Sequence, residues 1–149
     1  MPGLVEQLRG IRVQKASATV PATTTQNIFT VQGGKVLVKA LVGEVTVAIG
    51  AGTTPDIKVT SVPTVGSATD VATDVVVGSA AVGATLSVEG DGTALVLVGG
   101  GGYALPANGM GFVVPAGILR MATTETTAGA TKWDIWYVPL DPGARVVSA

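Results

Sequence analysis

The alternation of apolar and polar positions is most sustained between Lys35 and Ile49, KVLVKALVGEVTVAI, which reads as one long strand. Val36, Val38, Ala40 and Val42 fall on even positions, whereas Val45, Val47 and Ile49 fall on odd ones, so strict two-residue alternation puts the two sets on opposite faces. Returning both sets to one core requires a reset, and Gly43 and Glu44, at the break, are the expected place for a bulge or bend. A long strand bent at a glycine is how a barrel or curled sandwich passes from one sheet to the other. In its first half Leu37 and Leu41 face away from the valines, an expected second apolar face covered either by the chain's own arms or by another subunit.

Shorter segments repeat the strand pattern. Asn27–Gln32, NIFTVQ, leads through Gly33 and Gly34 into the long strand, the best hairpin signal in the chain. Asp56–Val62 and Thr85–Glu89 alternate cleanly, Val75–Val77 and Thr93–Val98 are short apolar runs, and Phe112–Val114 and Ile118–Ala122 flank a Pro-Ala-Gly turn. Thr131–Val138, TKWDIWYV, places Trp133, Ile135 and Tyr137 on one face and Trp136 on the other. The expected core is Val36, Val38, Val45, Val47, Ile57, Val59, Leu86, Val88, Trp133 and Ile135. Residues 64–74 read as a polar, turn-rich connection, and residues 4–9 as a short helical turn ended by Gly10. The pattern predicts an all-β jelly-roll or β-sandwich domain of about eight or nine short strands. It divides into an extended N-terminal arm (1–25), a β-domain (26–140) and a C-terminal tail (141–149).

Composition changes this picture in one respect. Only 13% of residues are charged, about half the share usual in globular domains, so Thr, Ser, Gly and Ala must form much of the surface. That suits a protein packed against neighbours. A net charge of -1 gives no basic face for nucleic acid; Arg9, Arg12 and Lys15 are a small cluster on a terminal arm. No run is long enough to span a bilayer, and the N-terminus lacks a signal peptide's basic start and apolar run, so the expectation is a chain made and assembled in cytoplasm, with no membrane partner.

The chemistry available is limited by two absences. With no histidine and no cysteine, Ser-His-Asp and Cys-His nucleophile arrangements and nearly all zinc or copper sites are excluded. The glycines at 99–102 are followed by no Lys-Ser or Lys-Thr pair, so they read as a loop rather than a phosphate cradle. Glu89 with Asp91, and Asp70 with Asp74, offer too few oxygens for calcium. The reading is of no catalytic residue and no cofactor. A carbohydrate-binding module is the second hypothesis, with Trp133, Trp136 and Tyr137 as the platform; it requires those rings to face solvent together.

The order of features, an arm, NIFTVQGGKVLVKALVGEVTVAI, a Gly-, Thr- and Val-rich middle, VPAG before a strand, and KWDIWYVPLDPGA near the end, resembles small virion structural proteins of tailed bacteriophages. Among these it is most similar to the head decoration, or cement, proteins, over residues 25–145. The resemblance implies a β-rich protein, commonly trimeric, on the outer surface of the virion, binding across joints between subunits of the major capsid protein. A tail or head-fibre component is the alternative within the same particle. The expected capsid or subunit interface comprises Leu4, Val5, Leu8, Arg9, Ile11, Arg12, Leu37 and Leu41, with the arm as the anchor.

Overall fold

The computed structural model describes residues 10–21, 24–51, 56–99, 111–124 and 128–149. The described residues form eleven strands and no helix: β1 (Ile11–Thr19), β2 (Thr25–Gln32), β3 (Val36–Val47), β4 (Asp56–Pro63), β5 (Thr69–Val76), β6 (Thr85–Ser87), β7 (Val96–Val98), β8 (Phe112–Val114), β9 (Gly117–Thr123), β10 (Ala130–Pro139) and β11 (Arg145–Ser148). They make two antiparallel sheets. The first has the order β1-β10-β3-β6-β7 with β8 also paired to β3, and the second has the order β11-β2-β9-β4-β5. One apolar core joins them: Val36, Val38, Leu41, Trp133 and Ile135 of the first sheet meet Ile28, Phe29, Ile57, Leu119 and Met121 of the second. The all-β sandwich expected from the alternation is the fold observed.

The long strand resets its phase, but not at Gly43 and Glu44. Pairing runs regularly through both, Gly43 opposite Trp133 and Glu44 opposite Lys132. The register shifts earlier, where Val38 faces Tyr137 and Ala40 faces Trp136, leaving Lys39 as the extra residue of a bulge. A second shift, between Val45 and Val47, leaves Thr46 extra. Two consequences correct the sequence reading. Leu41 lies past the first bulge and is 1% exposed, in the core rather than on a second apolar face. Val47 lies past the second bulge and is 55% exposed, whereas the other nine expected core residues are buried.

Gly43 has a different reason to be glycine. A Cβ built there would lie 2.9 Å from Cη2 of Trp133 and 3.0 Å from Cε2, so the missing side chain is the space the indole occupies. Trp133 is fully buried, and a cross-strand pair of large against absent side chain is how it fits between the sheets.

The Gly33-Gly34 turn is not a hairpin. β2 and β3 lie in opposite sheets, so the turn is an arch across the sandwich. Gly33 has φ +76°, which suits glycine, and a Cβ on it would come within 2.5 Å of the Gly143 carbonyl oxygen. The arch is tied down by the Lys35 amide donating to Asp141 Oδ2 at 2.7 Å and the Leu140 amide donating to the Lys35 carbonyl at 3.0 Å. The Pro115-Ala116 turn is a second arch, from β8 in the first sheet to β9 in the second.

The expected arm is in part a strand. Ile11–Thr19 is the outer strand of the first sheet, with Ile11 opposite Tyr137 and Val13 opposite Ile135. The expected tail likewise supplies β11, with Val146 opposite Val31. Residues 69–76, read mostly as a connection, pair with β4 as β5. In each case the partner strand supplies what local pattern lacks. The helical turn at 4–9 and most of the glycine run fall outside the described residues.

The fit of Trp133 over Gly43 predicts a specific coupling. Trp133→Ala should destabilise by about 3–5 kcal/mol, as large core truncations do. Gly43→Ala should cost about 1–3 kcal/mol by overpacking, and most of that cost should vanish in a Trp133→Leu background. Urea unfolding of the four chains of that cycle measures the coupling; an equal cost of Gly43→Ala in both backgrounds would contradict the contact.

Candidate interaction surface

The outer face of the first sheet is assembled by register. Leu37 of β3 stands opposite Val138 of β10 on one side and Val113 of β8 on the other, forming an apolar row across three strands. Val113 is 55% exposed, and Leu37 and Val138 are half-buried. The next row pairs Ala40, Trp136 and Arg12. Here the Arg12 guanidinium lies 5.6 Å from the Trp136 ring centroid, while its Nη2 and Nε meet Asp134 Oδ1 at 2.7 and 2.9 Å. Farther along, Lys132 and Glu44 pair at 3.2 Å. These exposed or half-exposed ion pairs contribute little stability each, but they grade the face from apolar at Val113 to charged at Glu44.

Of the interface residues expected from sequence, Arg12 and Leu37 lie on this face. Ile11 packs against the core edge, and Leu41 is inside the sandwich. Leu4, Val5, Leu8 and Arg9 fall outside the described residues. Val113, Val138 and Trp136 complete the face. Their alternation with the buried Val114, Tyr137 and Ile135 was the available signal, but only the pairing of β8 and β10 with β3 shows that they align.

Beside this face is a groove of about 540 Å³ lined by Ser61, Pro63, Val65, Asp70, Asp91 and Phe112 among others. Val65 is 90% exposed. Phe112 rests on the backbone of Gly90, where a Cβ would sit 2.1 Å from the ring's Cδ1. A smaller recess of about 230 Å³ shares Val65 and Pro115 with the groove and extends to Lys35 and Asp141, so both open at the end of the sandwich that carries the two arches.

The two carboxylates have assigned donors. Thr93 donates from its amide at 3.0 Å and its hydroxyl at 2.6 Å to Asp91 Oδ1. These bonds, the hydroxyl's first, hold the Asp91 carboxyl below the usual range. Asp70 Oδ1 accepts from the Thr60 hydroxyl at 2.8 Å, and Oδ2 faces Lys58 Nζ at 3.3 Å. The Thr60 bond is the largest cause of a lowered Asp70 pKa; partial burial opposes it, and Lys58 adds to it. Among the described residues no three His, Cys, Asp or Glu side chains gather as a metal site. The sugar platform is not formed either, since Trp133 and Tyr137 are buried and only Trp136 reaches the outer face.

No protein-family model and no curated protein sequence matches the chain. Among solved structures, a chain from "Structure of infectious bursal disease virus Gx strain" aligns with 94% of this chain at 12% identity and a TM-score of 0.24. This chain spans 34% of that one, and a likeness at that score carries no argument about fold or function.

The Asp70 bonds make a pH prediction. A carboxyl whose folded pKa is depressed adds stability above its unfolded pKa and loses it as pH falls through the lower folded value. Thr60→Val removes the main cause, so the Asp70 titration midpoint should rise toward the ordinary carboxylate range and its contribution to acid-side stability should shrink. Carboxyl carbon NMR of parent and variant reads this directly; coincident midpoints would remove the Thr60 bond from the account.

Proposed function

We propose that this chain is a structural protein of a virus particle, of the capsid decoration kind, which docks on subunits of a major capsid protein and associates with copies of itself, most simply as a trimer. The observation that carries the reading is the apolar row Val113, Leu37 and Val138 on the outer face of the first sheet, continued by Ala40 and Trp136. A sheet face is normally polar where it meets water, and a contiguous apolar strip bordered by charges is the composition of an interface core with its rim. The low charge of the whole chain, the absence of histidine and cysteine, and the resemblance over residues 25–145 support the same reading. A decoration protein holds a shell together by burying surface over many copies, so modest contacts per copy suffice. On this reading the site of action is the outer surface of the virion, after synthesis in cytoplasm. A tail or fibre position in the same particle would use the same face.

Two variants separate the sheet face from the arm. Leu37→Asp puts a charge in the apolar row without touching the core, and deletion of residues 1–9 leaves β1 in place. Mixing each with undecorated particles and counting bound copies should show occupancy lost for Leu37→Asp, and for the deletion as well if the arm is an anchor. Full occupancy by Leu37→Asp would overturn the sheet-face assignment. Light scattering of the isolated parent chain tests self-association; a monomer at all concentrations would refute the trimer.

A further inference from the structure

The charged side chains lining the groove are both carboxylates, Asp70 and Asp91, and no lysine or arginine lines it among the described residues. The two bonds from Thr93 both use Oδ1 of Asp91, so neither occupies Oδ2. Ser61, 6% exposed, lines the same groove and brings a hydroxyl to it. The remaining wall is apolar, with Phe112 seated on Gly90 and Val65 standing 90% exposed.

We propose that this groove is a docking site for a basic side chain, lysine or arginine, carried on an extended segment of the protein partner. The proposal rests on the docking role above and adds the chemistry of one contact. An ammonium or guanidinium brings donors only, which is what a carboxylate oxygen and a hydroxyl lone pair can take. The aliphatic stem lies on Phe112 and Val65 while the charged head reaches Asp91, the arrangement long basic side chains adopt on apolar surface. A guanidinium over the Phe112 ring gains a cation–π contact in addition. At about 540 Å³ the groove exceeds one side chain, so residues on either side of the basic one enter with it. A neutral sugar matches less well, because the acceptor-rich wall offers its hydroxyls few donors and the tryptophans lie elsewhere.

The test titrates the full chain with Nα-acetyl-arginine amide and Nα-acetyl-lysine amide, followed by amide NMR, with neutral Nα-acetyl-citrulline amide and methyl β-glucoside as the other arms. The expected result is a saturable shift of the Thr69, Gly90 and Gly92 amides by the two cations, with citrulline binding about threefold to fivefold weaker. Asp91→Asn keeps an Oδ1 acceptor for Thr93 and should also weaken the cations about threefold to fivefold, without moving the Thr93 amide signal out of its hydrogen-bonded range. Equal binding of arginine and citrulline, unchanged binding by D91N, saturation of these amides by the glucoside, or no saturable response would each overturn the proposal. Failure can be assigned: cation binding without particle docking removes the structural role and leaves the groove's preference standing, and particle docking without a cation response does the reverse.

Discussion

The packing of Trp133 across Gly43 is the contact on which the sandwich depends. β3 has neighbours along both edges, β10 on one side and β8 with β6 on the other, so the seam between β3 and β10 sets the register of the first sheet. At that seam the largest side chain of the core meets the one position of β3 with no side chain. The indole Nε1 is buried without an acceptor among the described residues, so shape and buried apolar area hold the contact rather than a hydrogen bond. A glycine that would weaken an ordinary strand is here the condition for filling the core.

The outer surface follows from that register. The bulge at Lys39 turns Leu41 inward and leaves Leu37 outside, in line with Val138 and Val113. One extra residue thus converts a two-faced apolar strand into a core face and a narrow apolar row. The arches act at one end of the molecule: the turn after β2 is fastened to Asp141 and Gly143, and the turn after β8 borders the recess and the groove. Loops held by backbone contacts change little on binding, and an interface built on them loses less conformational entropy. Under the proposed structural role, rigid presentation of a small apolar row beside an acidic groove is what a protein bound in many copies requires.

The elements legible in the sequence were those whose signal is local. Period-two alternation marked β4, β6 and β10, and placed Trp133, Ile135 and Tyr137 inward with Trp136 outward. Pairing was not legible, because antiparallel partners here lie far apart in the chain: β1 joins β10 across more than a hundred residues, and β11 joins β2 likewise. Ile11 and Val13 already alternate with Arg12 and Gln14, yet without sight of β10 the segment reads as an arm. Gly33-Gly34 reads as a hairpin for the same reason, since a glycine turn serves an arch as well as a hairpin. The phase break expected at Gly43 and Glu44 is not there: the register shifts on either side of them, at Lys39 and at Thr46, because glycine attracts the bulge assignment while two ordinary residues make the bulges. The groove brings together three separate stretches, 61–71, 90–92 and 112–115, and nothing in the sequence joins Asp70, Asp91 and Phe112 before the fold does.

The central claim is that the outer face of the first sheet is a docking surface on a virus particle. Electron cryomicroscopy of the particles that incorporate this chain tests it most directly. The account predicts a β-sandwich on the outside of the shell, with Leu37, Val113 and Val138 buried against a neighbouring subunit. Density with that face open to solvent, or particles complete without the chain, would contradict it.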